Sequence, residues 1–105
     1  MAIAPRVKKN PPRKVTVEVV KVAAEPSGET CSCFTEGQVF TFDFERCPQD
    51  FCAAAFHSIW PMIRVVELRG RHPWDAEEGI TFACCPDHAK PVTFKITAVE
   101  PGDEK

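Results

Sequence analysis

Tyrosine is absent from this chain of 105 residues, and glycine is scarce at 5. Aromatic content therefore rests on 8 Phe and 2 Trp, a core-building mix unlike the Tyr-rich composition of many interaction surfaces. There is no glycine-rich phosphate cradle, no His-Glu-x-x-His pair and no defensible Ser/His/Asp order, so the usual signatures of nucleotide binding, zinc proteolysis and serine hydrolysis are missing. No window approaches the roughly 18 consecutive apolar residues that span a bilayer. The opening segment "MAIAPRVKKNPPRK" also lacks the apolar region of a secretory signal. These absences predict a soluble, unexported protein of the cytoplasm that does not contact membranes.

Acidic residues are missing from the first 14 positions, where five of the 13 Lys and Arg fall. The rest of the chain then sets 8 basic residues against 15 acidic ones. With Pro5, Pro11 and Pro12, residues 1–13 read as a flexible basic tail. An acidic body repels phosphate and argues against specific nucleic-acid binding. Residues 14–100 form one domain by length, and "PGDEK" at 101–105 reads as a frayed end.

Within that domain, "VTVEVVKV" (15–22) and "QVFTFDF" (38–44) alternate as half-buried strands, with Val15, Val17 and Val19 on one face and Phe40, Phe42 and Phe44 on another. "PQDFCAAAFHSIW" (48–60) switches to helix formers, and Pro48 with Asp50 predicts a helix starting near residue 48. Pro61 is expected to end or kink it, with "MIRVVEL" continuing as a second helical segment. "RGRHPWDAEEG" (69–79) is a polar loop. "ITFAC" (80–84) and "VTFKITAV" (92–99) complete the set, placing Ile80, Phe82 and Cys84 on one face and Val92, Phe94 and Ile96 on another. The order β-β-α-α-β-β with short links predicts an α+β fold: a small antiparallel sheet of about four strands, with one kinked helix or two short helices on one face.

Chemistry is concentrated in 6 cysteines. A reducing cytosol makes them thiols, metal ligands or redox groups before disulfides. Strand parity assigns Cys84 to the core beside Phe82, and Cys85 to the opposite face with Thr81 and Ala83. Cys47 and Cys52 flank the expected helix start, where unpaired N–H groups and the helix dipole favour a thiolate. Cys31 and Cys33 form a C-x-C in a turn, a weak zinc spacing. Single cysteines from separate elements, Cys33, Cys52 and Cys85 with Cys47, would still suit zinc or an iron–sulfur cluster. Cys52 and Cys85 are the candidate reactive thiols. Asp87 and His88, following "CCP", are auxiliary candidates, whereas His57 lies about 140° round the helix from Cys52.

The segments "CFTEGQVFTF", "CPQDFCAAAFHSIWPMI", "LRGRHPW" and "CPDHAKPVTFKI", in this order and spacing, resemble a family of small bacterial and archaeal proteins of uncharacterised function. The likeness covers about residues 14–98. Its pattern falls on Cys33, Gly37, Phe40, Cys52, Pro61, Gly70, Pro73, Trp74, Cys85, Pro86 and Asp87, and departs from the family at Arg71 and His72, where a glycine stands before the loop proline. The resemblance implies that Cys33, Cys52 and Cys85 belong together, and it brings no activity with it. Three functions follow: a metal or iron–sulfur accessory protein, a thiol redox protein or enzyme using Cys52 with Cys85 or Cys33, and an interaction module with Trp74 exposed. The partner would be a protein or a small molecule, and the edge strands of so small a sheet would also allow a homodimer.

Overall fold

The structure, a computed structural model, describes residues 12–43, 46–48 and 50–100. Four strands and one helix follow in the order β1 (Lys14–Val22), β2 (Val39–Phe42), α1 (Ala53–Glu67), β3 (Ile80–Cys84) and β4 (Val92–Val99). The sheet is antiparallel throughout, with spatial order β2-β1-β4-β3. β1 pairs with β2 and β3 with β4, β2 and β3 form the two edges, and the long β1–β4 pairing joins the two halves from Lys14↔Val99 to Val22↔Val92. The fold is the expected α+β arrangement with its helix on one face.

Alternation works as predicted on three strands. Val15, Val17 and Val19, Phe40 and Phe42, and Val92, Phe94 and Ile96 all turn inward, where they meet Ala55, Ile59, Ile63 and Val66 of α1. The third phenylalanine assigned to β2, Phe44, lies outside the described residues, as do 1–11 and 101–105 of the proposed tails.

Strand β3 inverts the prediction. Thr81 and Ala83 are buried, while Phe82 is 55% exposed and Cys84 is exposed as well. The cause is the β4 register: Thr81 pairs with Ile96 and Ala83 with Phe94, so these small residues share the face already committed to Ile96 and Phe94. That face lies under α1, and the Thr81 hydroxyl, buried there, donates to Asp75 Oδ1 at 2.6 Å. Cys84 is therefore not a core residue. Cys85, one position on, is half-buried and packs against the core.

The helix starts later than expected and runs as a single element through Pro61, one of the two expected arrangements. It begins at Ala53 rather than near residue 48, with Cys52 as an extended N-cap. Phe51 instead turns into the sheet and becomes 91% buried, its amide donating to Pro48 O across a turn. Burying a phenylalanine is worth about 2–3 kcal/mol, more than the marginal gain from one extra helical turn. Pro61 neither ends nor splits the helix. It sits on the exposed face, so the missing N–H leaves the His57 carbonyl toward water. The chain leaves α1 through Arg69 at φ 64, and Gly70 donates to Val65 O at 2.7 Å. A Cβ at residue 70 would stand 3.0 Å from the Val65 side chain and 3.1 Å from its carbonyl oxygen, which is why glycine occupies this closure.

Arg13 was placed in the flexible tail, yet it is only 2% exposed. Its guanidinium donates to Val66 O at the end of α1, to Glu78 before β3 and to Glu100 after β4. One side chain thereby ties the start of β1 to three later elements. Hydrogen bonds from Arg13 are the main cause holding the Glu78 and Glu100 carboxyls below the usual carboxylate range. Depressed native values mean that this stabilisation is present above the ordinary carboxylate range, near pH 4.3, and is lost as pH falls through the native values.

We expect Arg13→Met to destabilise the protein by roughly 2 kcal/mol at neutral pH, mostly through the lost bonds to Val66 O, because both glutamates are half in water. Urea unfolding followed by circular dichroism should show the gap between wild type and variant narrowing below about pH 4. A gap independent of pH would rule out the glutamate contribution.

Candidate functional site

Two phenylalanines position the thiols. Cys33 immediately precedes Phe34, and Cys52 immediately follows Phe51. Phe34 is 5% exposed and its ring stands edge-on to Phe51 at 5.1 Å, to Phe94 at 5.1 Å and to Phe40 at 5.8 Å. Phe51 also meets Phe40 at 5.0 Å and Phe42 at 5.2 Å. Such edge-to-face pairs add about 0.5–1.5 kcal/mol each beyond area burial. Because the rings lock together, the neighbouring cysteines are brought together at the surface above them.

Cys31, Cys33, Cys52 and Cys85 line one cavity of about 250 Å³. Apolar walls come from Phe34, Ala54, Ala55 and Pro86, while Asp87 and Lys90 are its charged residues. Cys52 caps α1 through its backbone, its sulfur is not used as a cap, and the first turn holds no acidic residue. The first helical amides therefore have no acidic side chain of their own turn as a partner. Cys85 follows β3 and pairs with Val92: its N–H donates to Val92 O at 3.0 Å, and the Val92 N–H donates to its sulfur at 3.2 Å. Pro86 then turns the chain away, and Asp87 Oδ1 accepts the N–H groups of Ala89 and Lys90. The Ala89 bond is the first cause lowering the Asp87 carboxyl, with Lys90 next.

Cys33 is the centre of the sulfur group. Its thiol is pushed above the ordinary range, first by negative charge on Cys52 and then by hydrogen bonding to that sulfur, with smaller contributions from burial and from Cys31. The Cys33 N–H also donates to Cys31 Sγ at 3.3 Å. Cys33 therefore gives up its proton less readily than a free thiol.

Of the residues singled out in the sequence, Cys33, Cys52, Cys85 and Asp87 come together. Cys47 is exposed and does not line the cavity, because the helix starts five residues later and the intervening chain turns Phe51 inward. His88 is exposed and also stands outside the lining. Trp74 belongs elsewhere: 65% exposed, it stacks on His72 at 4.8 Å and flanks hollows beside Phe82 that share no residue with the thiol cavity. Cys31 joins the site although its C-x-C spacing pointed to nothing, and burial of Phe34, which fixes its loop, is the signal for it. Among the described residues, no group of three or more His, Cys, Asp or Glu is arranged to hold a metal ion. None of the described helices is long and apolar enough to cross a membrane.

A second polar cluster escaped the sequence reading. His72 and Thr81 both bind Asp75: the His72 N–H donates to Oδ2 at 2.8 Å, His72 Nδ1 is 3.0 Å from the same oxygen, and Thr81 occupies Oδ1. Burial pushes the Asp75 carboxyl up, but the bonds from Thr81 and His72 outweigh it and the net direction is down. This cluster fastens the 69–79 loop to the buried face of β3.

No family model, curated protein or solved structure matches this chain. The family resemblance accordingly stands on its motifs alone.

Replacing Cys52 removes the charge that raises Cys33. In Cys52→Ser, the pH profile of Cys33 alkylation by iodoacetamide should move to lower pH, with faster labelling at any pH below the plateau. An unchanged profile would mean that the two sulfurs are not coupled.

Proposed function

We propose that the protein is a thiol–disulfide redox protein, with Cys52 as the attacking thiol and Cys33 as its resolving partner. The observation that carries this reading is the placement of Cys52 at the N-cap of α1, with Cys31 and Cys33 lining the same cavity. Cys52 as thiolate attacks one sulfur of a substrate disulfide, forming a mixed disulfide and releasing the first substrate thiolate. The charge on Cys52 is then gone. Cys33, as thiolate, then attacks the Cys52 sulfur and expels the second substrate thiolate. The protein gains one Cys33–Cys52 disulfide, and the substrate disulfide leaves as two thiols.

A second reading uses the same sulfurs for a soft metal or an iron–sulfur cluster in an accessory role. Four cysteines around one cavity favour it. It requires the sulfurs to draw closer to one centre, since those sharing a metal lie within roughly 4 Å of each other. Protein prepared without oxygen would then carry stoichiometric zinc or iron and lose thermal stability with chelator.

For the redox reading, Cys33→Ser treated with hydroxyethyl disulfide should accumulate a mixed disulfide on Cys52, visible as a mass increase on the intact protein. Wild type should instead lose two hydrogens, and Cys52→Ser should gain neither modification at a comparable rate. Wild type and Cys33→Ser retaining the same adduct in equal yield would sink the assignment of Cys33.

A further inference from the structure

The C-x-C pair has a use that the two-thiol cycle leaves open. Cys31 is half-buried, packs on the core and lines the same cavity as Cys33 and Cys52. Two residues of separation hold the Cα atoms of Cys31 and Cys33 within about 7 Å, and the bend at Ser32 and Cys33 shortens that toward the roughly 4.4–6.8 Å spanned by disulfides. The Cys33 N–H already points at Cys31 Sγ, 3.3 Å away. Cys85 shares the cavity, but its sulfur is engaged by the Val92 amide and is not among the groups that influence the Cys33 thiol.

We infer that Cys31 is a second resolving thiol, which takes over Cys33 from Cys52 and so returns Cys52 to its reactive form. This rests on the redox reading of Cys33 and Cys52. The step is an internal exchange without net oxidation. Cys31 as thiolate attacks the Cys33 sulfur, the Cys31–Cys33 bond forms, the Cys33–Cys52 bond breaks, and Cys52 leaves as thiolate. The Cys33 N–H bond to Cys31 Sγ already holds the attacking sulfur close to the residue it attacks. The oxidised state is thereby stored in the exposed loop, while the thiol at the helix start is free to attack again.

Reduced full-length protein mixed with one equivalent of hydroxyethyl disulfide, quenched in acid at intervals, alkylated and peptide-mapped, separates the stages. A Cys33–Cys52 cross-link should appear first and decline as the Cys31–Cys33 loop rises to become the major species, with Cys52 again alkylated. Cys31→Ser should stop at the Cys33–Cys52 cross-link. Wild type ending at that cross-link with Cys31 alkylated would overturn the relay while leaving the two-thiol cycle intact. Absence of any disulfide among the three would overturn both.

Discussion

The contact between Phe34 and Phe51 is the constraint on which the site depends. Neither residue belongs to a strand or to the helix, yet both are buried in the sheet's inner face against Phe94 and Phe40. The segments before β2 and before α1 are otherwise unrelated loops, and packing of two rings fixes their separation. Each ring delivers an adjacent cysteine to one surface. The arrangement couples the reactive thiols to the most densely aromatic part of the core, so their spacing is held by dispersion and area burial rather than by a polar network.

The same packing explains where α1 begins. Phe51, ahead of the helix, packs its ring against Phe40, Phe42 and Phe94. Starting the helix at Ala53 gives up a turn of marginal helix and leaves Phe51 in the core. It also converts Cys52 from a helical side chain into an N-cap, beside amides that have no partner within the helix. Local propensity was a fair guide to the kind of structure and a poor guide to its boundary, because the deciding contact was tertiary.

Much of the fold was legible in the chain. Alternation identified β1, β2 and β4 because each buries a continuous Val or Phe face, and the strand pairs followed from short connections. Alternation misled on β3: Ile80 and Phe82 look like the inner face, but pairing with β4 reserves that face for Thr81 and Ala83 beneath the helix. Cys85 lines the thiol cavity, and the face it shares with Thr81 and Ala83 is the one packed under α1 rather than the open one. Cys47 shows the converse error, a residue placed by helix propensity and lost when the helix moved. Arg13 was illegible as a core residue because its partners at Val66, Glu78 and Glu100 lie 53 to 87 positions away.

The registers of β1 and β4 give the domain two unlike poles. Val22 and Val92 meet beside Cys85 and the start of α1, whereas Lys14 and Val99 meet where Arg13 grips the helix's far end. The eight residues of β4 separate these poles by about 25 Å. Pro12 and Glu100 both lie at the ionic pole, at the opposite end of the sheet from the sulfurs. A change of charge there would act on stability without entering the sulfur chemistry.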